Sequence, residues 1–370
     1  MKIALGLSGG VDSAVCAHLL TEHGHDVTTV FLECWNEPGC RTDQDRKDAL
    51  SIALSLRLPF QVLDFKEPYR DTVLQYFLDE YKSGRTPNPD VICNREIKFG
   101  LFYEWAMAHS FDAIATGHYA NIIKLGVKNQ LAIPNDTHKD QTYFLSQINQ
   151  EQLERVVFPL ADLNKGEVRA LAAQKNIPVA NKKDSVGICF IGDINVHTFL
   201  KEHLGENPGD IIDSSGNVVG SHKGLWFYTI GQRHGFTINQ ISLIKNQMGE
   251  LVTKHNIPPF YVIAKKADNN QLVVGFGEVA RSKQFFLEDI HLIDSTEDLA
   301  IIKSPLIRIR HGGELLDCKL EKVKRDWQVT LNSGIQGISE GQFGVIYKKV
   351  KENIICLGGG KIKISNLITE

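Results

Sequence analysis

Leu7-Ser8-Gly9-Gly10-Val11-Asp12-Ser13 is the stretch from which the rest of the chain can be read. Before it, Ile3-Ala4-Leu5-Gly6-Leu7 is an apolar run of strand length; after it, Val15, Cys16, Leu19 and Leu20 recur at helical spacing until Gly24. The pattern is strand, tight turn, helix. Small or absent side chains at Ser8, Gly9 and Gly10 let successive backbone N–H groups face one point, and the following helix directs the positive end of its dipole there. That makes an anion cradle suited to the phosphates of a nucleotide. The turn lacks the Gly-Lys-Ser/Thr ending of a Walker loop, which removes the main support for a kinase or motor. Alone, it equally fits a plain helix start capped by Asp12 and Ser13.

Working outward, residues 27–32 form a second β-branched run. Asp43 opens a helix with Ala49, Ile52, Ala53 and Leu56 on one face, Pro59 ends it, and 61–65 reads as a third strand. Helices are expected over 71–82 and 96–109, and a further strand over 113–116. This alternation predicts an α/β fold with a doubly wound parallel sheet whose ligand site lies at the strand C-terminal ends. Residues 121–133 read as a hairpin and 140–176 as mostly helical, with Asn164 and Glu167 as an N-cap and N3 pair. The first domain then spans 1–204. Gly, Pro and Asn punctuate short strands in 205–279, a small central β domain, and 280–370 reads as a C-terminal antiparallel β-barrel.

A chain of 370 residues suffices for two or three domains with full cores. No apolar run approaches the ~18 residues of a membrane span, and Met1-Lys2 leads straight into the first strand, so a soluble cytoplasmic protein is expected. A formal charge of −3 excludes a uniformly basic nucleic-acid coat. Positive charge is local: between 303 and 326 there are seven Lys/Arg against four acids, and Lys348, Lys349, Lys351, Lys361 and Lys363 follow. An RNA surface and solvated strand faces both fit that excess. The seven cysteines show no C-x-x-C pair, which argues against a disulfide framework or structural zinc, and Cys16, Cys318 and Cys356 read as core thiols.

Two other thiols keep unusual company. Arg85-Thr86-Pro87-Asn88-Pro89-Asp90-Val91-Ile92-Cys93-Asn94 reads as a rigid polar loop between two helices, with Asp90 and Cys93 close enough to face one pocket. Cys189 lies between Gly187 and Gly192, downstream of Lys182 and Lys183, whose charges would favour the nucleophilic thiolate. Taken singly, each is also compatible with an ordinary semi-buried cysteine.

Together the motifs carry a resemblance. Ser8-Gly9-Gly10-Val11-Asp12-Ser13 is similar to the pyrophosphate loop of the N-type ATP pyrophosphatases (PP-loop ATPases, adenine nucleotide alpha hydrolase-like in fold). With residues 86–94, Ala115-Thr116-Gly117-His118-Tyr119, Asp140-Gln141-Thr142-Tyr143-Phe144-Leu145, residues 184–192, Phe227-Tyr228-Thr229-Ile230-Gly231-Gln232-Arg233 and Leu357-Gly358-Gly359-Gly360, it resembles the ordered signatures of the bacterial tRNA-specific 2-thiouridylases almost end to end.

The resemblance implies ATP-dependent adenylation of the C2 oxygen of a tRNA wobble uridine, followed by its replacement with sulfur. ATP would be held by Gly6, Leu7, Ser8, Gly9, Gly10, Val11, Asp12 and Ser13, with Leu32 and Gly117 receiving the adenosine and Asp12 helping to hold Mg²⁺. Asn88, Pro89 and Asp90 would grip the target base, with Asp90 as general acid/base. Cys189 would carry a persulfide whose terminal sulfur either attacks the adenylated carbon or is released by Cys93, which would form a Cys93–Cys189 disulfide. His118, Lys139, Asp140, Gln141, Arg310, His311 and Gln342 are implied tRNA contacts, although His118 also fits a satisfied structural histidine. A cysteine desulfurase or sulfur-relay protein is the implied partner, no membrane is involved, and a monomer is favoured. An amide-forming synthetase of the same superfamily would leave the paired thiols unexplained; a tRNA-binding protein with a degenerate nucleotide site would leave the intact loop unexplained. The chain departs from the family pattern at 234–259, which is longer than the usual glycine-rich turn.

Overall fold

The computed structural model describes residues 1–36, 40–183, 195–239, 259–276 and 281–364. In the first domain, β1 (Lys2–Gly6), α1 (Val11–Glu22), β2 (Asp26–Glu33), α2 (Thr42–Ser55) and β3 (Phe60–Asp64) follow the expected alternation. A helical run then passes through α3 (Lys66–Tyr69), a π-type turn and α4 (Gln75–Lys82), starting a turn earlier than expected. A second run begins at α5 (Pro89–Cys93) and continues through a π-type stretch into α6 (Phe102–Ala108). Pro89, Asp90 and Cys93 are therefore helical, where a loop was expected. Asn88 caps that helix by accepting the Val91 N–H at 3.2 Å, and proline is tolerated at the first helical position because its N–H would be unpaired there anyway.

β4 (Ala113–Ala115), the hairpin of β5 (Asn121–Leu125) and β6 (Lys128–Ala132), α7 (Gln150–Glu154), β7 (Val156–Val157) and α8 (Lys165–Gln174) follow, and then α9 (Val196–Leu204), whose Phe199 and Leu200 share a buried core with Phe77 of α4. The expected helical span 140–176 is thus broken. It holds only a 3₁₀ turn (Thr142–Leu145), the short α7 and then a strand, because β-branched Val156-Val157 precedes Phe158-Pro159 and proline blocks helix continuation. The sheet order is β3-β2-β1-β4-β7, all parallel. Ile3, Ala4 and Leu5 of central β1 are 0% exposed, as the apolar run required of a strand covered on both faces. The chain winds from β1 towards β3 and then returns as β4 on β1's other side, which opens the ligand crevice beside the turn that follows β1.

The central unit comprises β8 (Gly209–Ile212), β9 (Val218–His222), β10 (Thr237–Ile238), β11 (Tyr261–Lys266) and β12 (Gln271–Gly275), packed around Ile211, Val219, Val262 and Leu272. Its order is β10-β9-β8-β12-β11, with one parallel pair, β8 and β12. The last unit comprises β13 (Ser282–Leu292), β14 (Leu306–Arg308), β15 (Leu316–Val323), β16 (Asp326–Ile335), β17 (Phe343–Val350) and β18 (Asn353–Lys363). It closes into the expected antiparallel barrel through β13–β18 pairing. Gly358 makes that closure fit: its φ is +126°, and a Cβ there would stand 2.2 Å from the His291 carbonyl of β13. The β5–β6 hairpin leaves its own domain and joins the barrel beside β18, with Ala132 opposite Ile355. Lys128 on the hairpin bonds Asp294 and Thr296 at 2.5 and 2.9 Å. No helix among the described residues is long and apolar enough to cross a membrane.

Candidate functional site

The turn after β1 is tight and admits few side chains. Gly9 has φ +75°, and a Cβ on it would stand 2.3 Å from the Asp45 carbonyl, so only glycine fits. Gly10 is the N-cap of α1, and Ser13 folds back to accept the Ser8 N–H at 3.2 Å, which closes the loop on the helix's first turn. Gly117, just beyond β4, leans on this turn: a Cβ there would lie 3.0 Å from the Ser13 nitrogen. Leu7 and Leu32 are buried at 1% and 6% exposure, Gly6 ends β1, and Val11 is buried at the helix start. Leu32 in β2 and Gly117 after β4 flank β1 on either side.

Asp12 lies in the first turn of α1, and its Oδ1 accepts from Lys165 Nζ at 2.6 Å and from the Tyr119 hydroxyl at 2.9 Å. Lys182 Nζ donates to the Gly9 carbonyl at 2.9 Å and is shared with Asp45 and Asp48. Lys182, expected to favour the Cys189 thiolate, thus bonds the turn after β1, while Cys189 lies outside the described residues. Lys165 escaped the sequence reading, although a cation at the first position of α8 was a signal, since the helix dipole disfavours it there.

The second constellation lies where the first domain meets the barrel. Arg85 forks onto Glu80 at 2.6 and 2.9 Å, and Glu80, 5% exposed, also pairs with Lys361 of β18 at 3.3 Å. The Thr86 N–H bonds the Glu340 carbonyl at 2.8 Å. Gln342, between β16 and β17, donates its amide to the Thr86 and Pro87 carbonyls at 3.1 and 2.8 Å and accepts from Asn88 at 3.3 Å. The barrel therefore grips the entry to α5. On that helix Asp90 and Cys93 are one turn apart and share a face; Asp90 is half-buried and Cys93 is 0% exposed. Asn94 donates to the Phe144 carbonyl at 3.2 Å, which ties α5 to the 142–145 turn. Cys189, its motif 184–192 and most of the 234–259 insertion lie outside the described residues.

The residues expected to meet tRNA divide by burial. Lys139, Arg310 and His311 are exposed, and the His311 ring stacks on Phe144 at 4.1 Å. Asp140 is 3% exposed; one oxygen accepts from Thr142 N–H and hydroxyl, the other pairs with Arg308 of β14. Gln141 accepts the Tyr119 N–H at 2.9 Å. His118 is 7% exposed, with Nδ1 2.8 Å from the Thr116 hydroxyl and Nε2 3.5 Å from Lys98 Nζ. Burial first, and the Lys98 charge second, hold its pKa well below the usual imidazole value. Cys16, Cys318 and Cys356 are buried; burial raises all three thiol pKa values, the last two to about 12, as expected of core thiols.

A parallel sheet with a tight glycine turn after β1, followed by two β units of which the barrel grips the entry to a cysteine-bearing helix, defines a nucleotide-binding protein of the HUP class with appended β domains. Family models agree in series: a tRNA methyl transferase HUP domain matches residues 1–193, a tRNA methyl transferase PRC-barrel domain 197–276, and an aminomethyltransferase beta-barrel domain 282–362. The chain belongs to the family of tRNA-specific 2-thiouridylases, MnmA. The protein of that name from Listeria innocua is 40% identical over 98% of this chain and 94% of its own length; that from Staphylococcus aureus strain JH9 is 38% identical over 98% and 95%. Among solved structures, the U34-tRNA thiolase NcsA from Methanococcus maripaludis aligns over 48% of this chain and 57% of its own, at 22% identity and a TM-score of 0.34.

Proposed function

We propose that this chain is an ATP-dependent tRNA-uridine 2-sulfurtransferase that replaces the C2 oxygen of the wobble uridine with sulfur. The observation that carries the reading is the end-to-end likeness to curated 2-thiouridylases in a chain that keeps residues 8–13, Asp90, Cys93 and Cys189. The uridine O2 attacks the α-phosphorus of ATP, the α–β anhydride breaks, and pyrophosphate departs into the cradle of Ser8, Gly9, Gly10 and Ser13. A backbone cradle at a helix start suits a leaving anion, because its N–H groups are already aimed and need no reorganisation. Leu32 and Gly117 border the adenosine. Asp12, whose Oδ1 accepts from Lys165 and Tyr119, would be the protein ligand to the Mg²⁺ that accompanies ATP and neutralises the departing phosphates.

Asn88, Pro89 and Asp90 grip the base at the seam with the barrel, and Asp90 is the proton carrier beside it. An anticodon base is already single-stranded, so extruding it costs at most about a few kcal/mol, against roughly 7–11 kcal/mol available from positioning. The terminal sulfur of a Cys189 persulfide attacks C2, and AMP leaves with the original oxygen. Cys93 thiolate then attacks Cys189 Sγ, the Sγ–S bond breaks with its electron pair passing to the sulfur left on C2, which becomes the thiocarbonyl as N3 regains its proton, and a Cys93–Cys189 disulfide remains. A thiol reductant in the cytoplasm returns the disulfide to two thiols by exchange, becoming oxidised itself, and a cysteine desulfurase or relay protein then passes the outer sulfur of its own persulfide to Cys189. Lys139, Arg310 and His311 offer exposed contacts to the tRNA. Purified protein with ATP, Mg²⁺, unmodified tRNA and a desulfurase system is expected to form 2-thiouridine, and Cys189→Ser to form none. Absence of product with the unaltered chain, or undiminished product from Cys189→Ser, refutes the reading.

A further inference from the structure

The phosphate loop has no lysine of its own, yet two lysines from the far end of the domain reach it. Lys182 bonds the Gly9 carbonyl. In a loop whose N–H groups converge on an anion, the carbonyls point away from it, so Lys182 braces the cradle from behind. Lys165 is placed differently. Its ammonium is 2.6 Å from Asp12 in the first turn of α1, where the unpaired N–H groups and the positive dipole end face the cradle. The side chain is only 14% exposed, and its ammonium lies 6.0 Å from the centre of the Tyr119 ring.

Lys165 also defies its local setting. It is the first residue of α8, where the helix dipole disfavours a cation. Its backbone is nevertheless fixed with care: the N–H bonds Asp136 at 2.9 Å, and Asn164 and Glu167 form a reciprocal capping box around it. A Walker loop ends in a lysine that reaches the terminal phosphates. Here a lysine on a different, rigidly capped helix reaches the first turn of α1 that follows the loop, partnered by the carboxylate of Asp12.

We infer that Lys165 is the pyrophosphate-binding cation of this site, resting on Asp12 until the polyphosphate of ATP arrives and then shared with the departing phosphates. The assignment rests on the thiolation reading above. Arrival of the polyphosphate adds negative oxygens beside the Asp12–Lys165 pair, so the ammonium gains new acceptors without leaving the carboxylate's neighbourhood.

Equilibrium binding of inorganic pyrophosphate and of AMP, as separate probes, tests the assignment on the full chain. Lys165→Met is expected to weaken pyrophosphate binding roughly ten- to a hundredfold, the loss of one charge-assisted contact, and to leave AMP affinity unchanged. Lys165→Arg keeps the charge and should retain most of the pyrophosphate affinity. The assignment is overturned if Lys165→Met binds pyrophosphate like the unaltered protein. Equal loss of AMP binding would make Lys165 a structural prop, and an arginine variant as weak as the methionine one would remove charge as the cause; either result also overturns it. If the unaltered protein binds neither ATP nor pyrophosphate, the thiolation reading itself falls, and this assignment with it.

Discussion

His118 lies between the Phe99 and Phe158 rings at 7% exposure, with the Lys98 ammonium 3.5 Å from Nε2. Lysine can only donate, so Nε2 accepts and the ring's one proton sits on Nδ1, directed at the Thr116 hydroxyl. The folded pKa is depressed by burial and by Lys98, whereas an unfolded histidine titrates near 6.5. Below that pH the unfolded chain binds a proton that the folded one refuses. The stability contribution is therefore complete above about pH 6.5 and is lost on acidification towards the folded value, by up to about 1.4 kcal/mol per pH unit. Comparing thermal unfolding at pH 7.5 and 5.5 should show a smaller acid loss for His118→Gln than for the unaltered chain. His25, His222 and His311 are depressed as well but are common to both proteins, so the difference isolates His118. An identical acid loss in both would contradict the buried neutral ring.

At the scale of elements, α5 is five residues long and has no independent stability. What holds Asp90 and Cys93 in place is the cap from Asn88 and the three hydrogen bonds between Gln342 and residues 86–88. Gln342→Ala would unpair the Thr86 and Pro87 carbonyls, at a cost of about 1–3 kcal/mol. Because the amide is spent on this loop, the variant is expected to lower kcat for thiolation by about tenfold or more while leaving KM for ATP unchanged, since the cradle is elsewhere. A changed KM for ATP with unchanged kcat would contradict the clamp. The sequence made the Asn88 region legible as a rigid polar motif but not as a helix start, because two prolines read as loop until the capping geometry is seen. Val156-Val157 was illegible for a related reason: two residues are too few for a periodicity, and only pairing with β4 makes them a strand. The strand, tight turn and helix of residues 3–22 were legible, because glycine at φ +75° against a backbone carbonyl allows few other sequences.

Across the whole molecule, the barrel and the nucleotide domain are joined by contacts that no local pattern announces. Asp140 precedes the 142–145 turn, and its partner Arg308 comes 168 residues later in β14. Both are buried, at 3% and 7% exposure. Arg308 also lies over the Tyr347 ring at 5.3 Å, and the Tyr347 hydroxyl is 3.2 Å from that of Thr142. Counting Arg308 with the basic residues of 303–326 as an RNA surface was therefore misleading at that position: the charge faces a carboxylate across the seam. The pair secures the turn whose Phe144 supports His311 on one side and binds Asn94, the residue following α5, on the other. Removing one buried partner leaves the other uncompensated, so Arg308→Met should destabilise the chain by about 3–5 kcal/mol, whereas adding Asp140→Asn removes the stranded charge and should recover part of that loss. Denaturant unfolding of the two single variants and the double variant measures the coupling. Independent, additive losses would show that the barrel is not held on the nucleotide domain by this pair. Recovery in the double variant would show that it is, and the same variant should still thiolate poorly, because an asparagine–methionine seam restores charge balance without restoring the fixed position of the 142–145 turn.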